Sequence, residues 1–300
     1  YPSTSLSLAI QAAAVIGDRG ATILRRLLHT GGTIGMRHGP AGLEPVPGLV
    51  EAAVGARASV FAFDPLLDSA AICWRDWNRM LDMVDKSQSP IVITHGTDTM
   101  TYTGAALSQC LHGHEAPVIL CGSMVPLGNG GDAEGNLDLA LMADPGPGVW
   151  LAFNHRLMPA GNLVKHDSHG ADAFQAIPQD PVDAEPPARR FKEAAVGVLT
   201  LTPGTPARLL EAALSVLDAA VLRVFGAGTA PPDPALYQVL SCRAAEGMRL
   251  RAVSACETGG LTPGAYAAGA QLWDAGVENG GRDTVEAAFI RLWLAVSARV

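Results

Sequence analysis

Short apolar runs alternate along this chain with polar, glycine-rich breaks, and the period of the runs changes from one to the next. Residues 59–63, 90–94, 117–121 and 149–153 are almost continuously apolar, and 23–29 is a short apolar run interrupted by Arg25 and Arg26. Runs of this kind, bounded by turn residues, predict strands buried on both faces. Between them lie segments with helical spacing: 76–86, with Trp77, Met80, Leu81 and Val84 on one face, then 105–111 and 136–142. Strands and helices in alternation predict a parallel sheet with helices on both faces. Pro178, Pro181, Pro186 and Pro187 then break the pattern among mixed charges, as a linker does. Beyond it the alternation restarts, with strands at 196–200, 219–225 and 250–254. Helices follow at 206–216, 236–246, 265–275 and 284–300. The expectation is a large α/β domain over 23–180, a linker over 181–195 and a smaller α/β domain over 196–300.

The 300 residues are 48 % apolar and 17 % charged, and mean hydropathy is +0.21. Such a chain builds a large core and is not disordered. A net charge of −8 argues against nucleic acid or an anionic membrane as partner. Five cysteines, at 73, 110, 121, 242 and 256, form no CxxC spacing, so buried free thiols and a reducing compartment are expected. His112 and His114 stand close together with no cysteine nearby, and no metal site is read there. The apolar run 6–16 is too short to span a bilayer and carries Ser7 and Gln11. It has no basic flank of the kind a signal peptide needs, and residues 1–22 read as a leader or surface helix.

Two strand ends carry the candidate chemistry. LLHTGGTIGM (27–36) and IVITHGTDTM (91–100) each run from an apolar stretch into glycine and threonine. In a parallel sheet, ligands bind at the carboxyl ends of strands, which would place Thr33, Thr97 and Asp98 around one crevice. Hydroxyls, a carboxylate and exposed backbone N–H groups are the parts of an acyl-transfer site. Alone, the Gly31–Gly32 pair reads better as a tight turn, and Asp98 reads as well as a helix cap. Neither stretch is a dinucleotide fingerprint or a Walker loop. Lysine is scarce, with only Lys86, Lys165 and Lys192. Lys165 is either a surface residue or a partly buried amine, able in its neutral form to accept a threonine proton.

These motifs resemble the bacterial L-asparaginase family, most of all its cytoplasmic type I branch. The likeness is carried by HTGGTIGM (29–36), PLLDSA (65–70), ITHGTDTMTYTGAAL (93–107) and PVILCGSMVPL (117–127). FNHRLMPAGNLVKHDSHGADAF (153–174) and GGLTPGAYAAGAQLWDAGV (259–277) extend it. The resemblance implies a flavodoxin-like N-terminal domain and a smaller α/β C-terminal domain. It also implies a homodimer or homotetramer with the active site between subunits, a cytoplasmic location and hydrolysis of L-asparagine; neither a cofactor nor a metal is implied. Thr33 then matches the nucleophile, and Thr97, Asp98 and Lys165 a second catalytic constellation. Asp98 matches the group that holds the substrate ammonium, Ser69 the one that binds its carboxylate, and Ser123 the one that meets the side-chain amide. Backbone N–H groups at Gly32 and Thr97 match the oxyanion hole.

Two positions depart from the pattern. Leu43 stands where the family carries a loop tyrosine, in a glycine-rich loop that also holds His38. Thr229 stands where type I relatives carry asparagine. Other readings are a glutaminase–asparaginase, a weakly active amino-acid sensor lacking the loop tyrosine, and a flavodoxin-like binder of phosphate or nucleotide.

Overall fold

The computed structural model describes residues 25–85, 89–179 and 185–299. The expected leader over 1–22, the last residue of the expected large domain (180) and residues 181–184 of the expected linker lie outside the described residues. The first part of the chain contains β1 (Arg25–Gly31), β2 (Met36–Gly39), β3 (Gly42–Pro45), α1 (Leu49–Val54), β4 (Ala58–Leu67), α2 (Trp74–Asp85) and β5 (Ile91–Thr94). It continues with α3 (Met100–Cys110), β6 (Pro117–Cys121), α4 (Ala133–Met142), β7 (Gly148–Phe153), β8 (Arg156–Pro159), β9 (Leu163–Lys165) and β10 (Phe174–Ala176).

Six of these strands form one sheet in the order β4-β1-β5-β6-β7-β8. The first five pair in parallel. With the β2–β3 hairpin set aside, their chain order is that of a flavodoxin-like sheet, which reverses direction between β1 and β5. Every residue of β5 and β6 is buried, as a strand covered by helices on both faces requires. Successive residues serve opposite cores. Leu28, Ile93 and Leu120 pack with Trp77, Met80 and Leu107 of α2 and α3. Leu27, Val92 and Ile119 pack with Val50, Val54 and Leu137 of α1 and α4. The sheet is not wholly parallel, because β8 folds back antiparallel on β7. Asn154 and His155 make that turn at φ 46° and 59°, the left-handed pair of a type I′ hairpin.

The second part contains β11 (Val196–Thr200), α5 (Ala207–Leu214), β12 (Ala219–Val224), α6 (Pro234–Ala245), β13 (Arg249–Ser254), α7 (Ala270–Asp274), β14 (Glu278–Asn279) and α8 (Val285–Ser297). Its four strands pair in parallel in chain order. Asp233 caps α6 by accepting from Ala235 N, with Pro234 in the first turn, where a missing N–H costs nothing. One face of this sheet packs on Leu210, Leu236 and Leu240. Against its other face lies α8, through Ala288, Leu292 and Val296. The neighbouring stripe of α8, Ala287, Ile290 and Leu294, enters the core of the large sheet. A helix apolar on two faces is thus buried between two layers, and each fully buried Leu or Ile contributes about 1.5–3 kcal/mol. Among the described residues no helix is long and apolar enough to cross a membrane.

Candidate active site

The site is assembled where the sheet order reverses. β1 runs out into Gly31 and Gly32, and Thr33–Gly35 makes one turn of 3-10 helix closed by Gly35 N–H donating to Gly32 O. Gly32 sits at φ 90°, ψ 169°, a region open essentially to glycine alone. Space excludes a side chain as well. A Cβ at Gly32 would lie 2.4 Å from the backbone nitrogen of Gly96 and 2.6 Å from its Cα. The turns after β1 and β5 therefore touch backbone to backbone.

Gly96 lies in turn against the Ser69 hydroxyl, since a Cβ at Gly96 would fall 2.5 Å from Ser69 Oγ. Ser69 is 3 % exposed and follows β4. Its carbonyl accepts from Thr99 Oγ1 at 2.7 Å. Gly122, after β6, lies against the His95 carbonyl, 2.5 Å from where its Cβ would be. Ser123 follows, with an Oγ that is buried and has no hydrogen-bond partner among the described residues. Four strand ends thus converge, and they carry Thr33, Ser69, Thr97, Asp98 and Ser123.

Lys165 reaches this crevice from β9. Its Nζ donates to Thr97 Oγ1 at 3.0 Å and to Asp98 Oδ1 at 2.8 Å. The Lys165 side chain is 18 % exposed and that of Asp98 67 %, so the amine is held and the carboxylate opens to solvent. Asp98 does not cap the following helix: the residue in that place is Thr99, and the Asp98 carboxylate turns to the lysine. The half-buried Thr33 forms no side-chain hydrogen bond among the described residues and joins the group through the Gly32–Gly96 approach.

Three supports of the site were not visible as chemistry in the sequence. His95, wholly buried, presents Nδ1 2.6 Å from Gly96 O and Nε2 2.9 Å from Thr103 Oγ1. Thr103 Oγ1 also accepts from Trp77 Nε1 at 3.0 Å. Burial lowers the His95 pKa to about 4, so the imidazole is neutral and donates Nδ1–H to Gly96. Because a peptide unit is planar, fixing the Gly96 carbonyl also fixes the direction of the Thr97 N–H. The turn after β6 is clamped by Asp132, which accepts from Met124 N at 2.9 Å and Val125 N at 3.0 Å. Asn136 ties the same carboxylate to Gly122 O. The third support is Glu286, which accepts from Thr101 Oγ1 at 3.5 Å. Its pKa is raised chiefly by burial. The one advance signal was the HGTD string, which sets His95 beside Thr97.

The loop expected around Leu43 is an ordered antiparallel hairpin, in which Leu43 of β3 pairs with His38 of β2. Leu43 is 39 % exposed. Thr229 lies in a tight turn after β12, its carbonyl accepting from Phe225 N. A cleft of about 570 Å³ is lined in part by His112, His114 and Trp150, and one of about 300 Å³ by Met124, Asp132 and His155. Neither is lined by Thr33, Thr97 or Lys165. Among the described residues no group of three His, Cys, Asp or Glu could hold a metal ion.

A flavodoxin-like sheet with paired threonine turns, a lysine–carboxylate contact and an appended four-stranded α/β unit defines a narrow class of proteins. The pattern of the family "Asparaginase, N-terminal" matches residues 26–189, and that of the "Glutaminase/Asparaginase C-terminal domain" matches 195–299. L-asparaginase 1 of Escherichia coli K12 is 32 % identical over 88 % of this chain and 89 % of its own length. The solved structure of the thermostable L-asparaginase from Thermococcus kodakarensis superposes with a TM-score of 0.78 at 29 % identity. It covers 92 % of this chain and 93 % of that one. L-asparaginase I from Vibrio cholerae gives 0.75 at 29 % identity, over 92 % and 94 %. The chain belongs to the L-asparaginase family.

Proposed function

We propose that the protein hydrolyses the side-chain amide of L-asparagine to L-aspartate and ammonia. The observation that carries this is the placing of Lys165 Nζ against both Thr97 Oγ1 and Asp98 Oδ1, beside the Thr33 turn. In this reading Thr33 Oγ1 attacks the amide carbon and its proton passes to the departing amine, which leaves as ammonia. Water then cleaves the acyl–threonine ester through the Thr97–Lys165 pair. Backbone N–H groups of Gly32 and Thr97 face the developing oxyanion, and losing one such donor costs about 2.7–4 kcal/mol of barrier. Asp98 takes the α-ammonium, Ser69 the α-carboxylate and Ser123 the amide. Each pairs a charged or polar group of a small zwitterion with a complementary one.

The Asp98 carboxylate is 67 % exposed on a single chain, which supports a homodimer or homotetramer whose neighbour covers it. The domains run over 23–180 and 196–300, and the protein acts in the cytoplasm. L-glutamine is the second substrate to test. A sensor of low activity is favoured by Leu43, which cannot carry the proton a hydroxyl would. Ammonia release from L-asparagine, with L-glutamine beside it, tests all three. Turnover by wild type that is lost in Thr33→Ala is expected. No turnover on either amide, with aspartate still raising the melting temperature, replaces the enzyme with the sensor.

A further inference from the structure

The Thr33 turn rests on a buried histidine that the chemistry above leaves without a task. His29 is 1 % exposed. Its Nδ1 lies 2.7 Å from Thr94 Oγ1, which ties β1 to β5 one turn below the site. Its Nε2 is buried and has no partner among the described residues. The ring lies directly beneath Gly35, the last residue of the Thr33 turn: a Cβ there would fall 2.7 Å from Nε2 and 2.8 Å from Cε1. A second orphan lies on α1, the helix packed against that turn. Glu51 Oε2, on α1, is also buried and without a partner, and the neighbouring Val50 reaches to 3.3 Å of that Gly35 point. Glu51 is also the charged residue whose field acts on the ring.

A buried polar atom left unpaired costs about 1–3 kcal/mol, and native structures rarely tolerate one without a reason. Two such atoms, one a ring nitrogen and one a carboxylate oxygen, do not meet directly, and one buried water between them would satisfy both. A carboxylate only accepts. The Thr94 hydroxyl meets no other acceptor among the described residues, so it donates to Nδ1, and a neutral ring then carries its proton on Nε2.

We propose that His29 is a positioning residue for Thr33: in its Nε2–H form it links the Thr94 hydroxyl to the Glu51 carboxylate and supports the Gly35 turn from beneath. The inference rests on the reading of Thr33 as nucleophile, and two of its three tests need no activity. Nitrogen NMR of histidine-labelled protein should show His29 as the Nε2–H tautomer, with resonances that move in Glu51→Gln. An Nδ1–H tautomer, or resonances indifferent to Glu51, overturns the link. Hydrogen exchange at the Gly35 amide should quicken about three- to tenfold in His29→Asn, the factor that one lost hydrogen bond supplies. Unchanged exchange overturns the support. In the ammonia assay, His29→Asn and Glu51→Ala should each lower kcat by a similar factor, with KM within about twofold and Glu51→Gln largely restoring it. An increase in KM with kcat unchanged overturns the positioning role. If wild type releases no ammonia, the proposed function fails while the NMR and exchange results still decide this one.

Discussion

Replacing Gly32 by alanine should damage both the fold and the site, because the new methyl meets backbone that cannot move aside. Two costs combine. The backbone at φ 90°, ψ 169° lies in a region that a residue with a Cβ enters at about 1–3 kcal/mol. The new methyl would also fall 2.4 Å from Gly96 N and 2.6 Å from Gly96 Cα, where ordinary contacts need roughly 1 Å more. The obstacle is backbone, so no rotamer relieves it, and overpacking of this kind costs about 1–3 kcal/mol. The sum, about 2–6 kcal/mol, is a large part of the roughly 5–15 kcal/mol that holds a domain folded. Relief can come only by parting the β1 and β5 turns, which carries Thr33 away from Thr97. Urea unfolding and ammonia release on the same samples measure both effects. Gly130→Ala is the control, because Gly130 also has a positive φ, 70°, but open space where the methyl would go. It should lose about 1 kcal/mol and keep its activity. If Gly32→Ala matched it in both, the close approach would not be what holds the two turns together.

Three other measurements probe separate parts of the argument. Lys165→Met should lower turnover by about 10²–10⁴-fold, the usual worth of a proton-transfer group. Its unfolding free energy from urea titration should fall by no more than about 1 kcal/mol, because Asp98 is largely exposed; a large loss of stability would make Lys165 a structural residue. His95 titrates near 4 when folded and near its ordinary 6.5 when unfolded. The unfolded chain therefore binds the extra proton between those values. Stability present above pH 6.5 should fall by about 3 kcal/mol as the pH drops toward 4. His95→Gln should flatten that slope in urea titrations, and an unchanged slope would assign it to other groups. Cys73, Cys242 and Cys256 are exposed, while Cys110 and Cys121 are buried. Burial pushes the Cys110 thiol up to about 12 and that of Cys121 up as well. A thiol reagent at pH 8 should thus count three groups in the native protein and five in guanidinium, and a fast fourth would contradict the packing of α3 or β6.

The parts of the fold legible in the sequence are those where burial is total. β5 is apolar but for Thr94 and β6 is apolar throughout, and helices on both faces follow from that pattern. Elements whose polarity is mixed were read short or passed over. α3 begins at Met100 rather than 105, because Thr101, Thr103 and Gly104 are poor helix formers that packing on all sides nonetheless holds in place. The helix read over 265–275 shrinks to α7 with a 3-10 turn before it, as Gly264 at φ 85° breaks the segment. β2 and β3 are exposed on both faces and offered no apolar period. β8 reverses because Asn154 and His155 adopt left-handed backbone, which neither residue announces. In the site, the residues with side chains suited to catalysis stood out; His29, Glu51 and His95 did not. The partner of His29 lies 65 residues away in Thr94, and a buried histidine such as His95 looks no different on paper from a core residue.

The double-sided burial of α8 limits the order in which the protein can be completed as it is made. The large sheet has all its strands once the chain reaches Phe153 and Pro159, but one wall of its core consists of Ala287, Ile290 and Leu294. Until those residues emerge, Trp77, Phe191 and the outer face of α3 present an uncovered apolar surface. The nascent chain is therefore sticky throughout the making of residues 160–286, however well its first strands have paired. A partner that shields exposed apolar surface has its longest opportunity there, and fragments that end before α8 should aggregate rather than fold as a catalytic half.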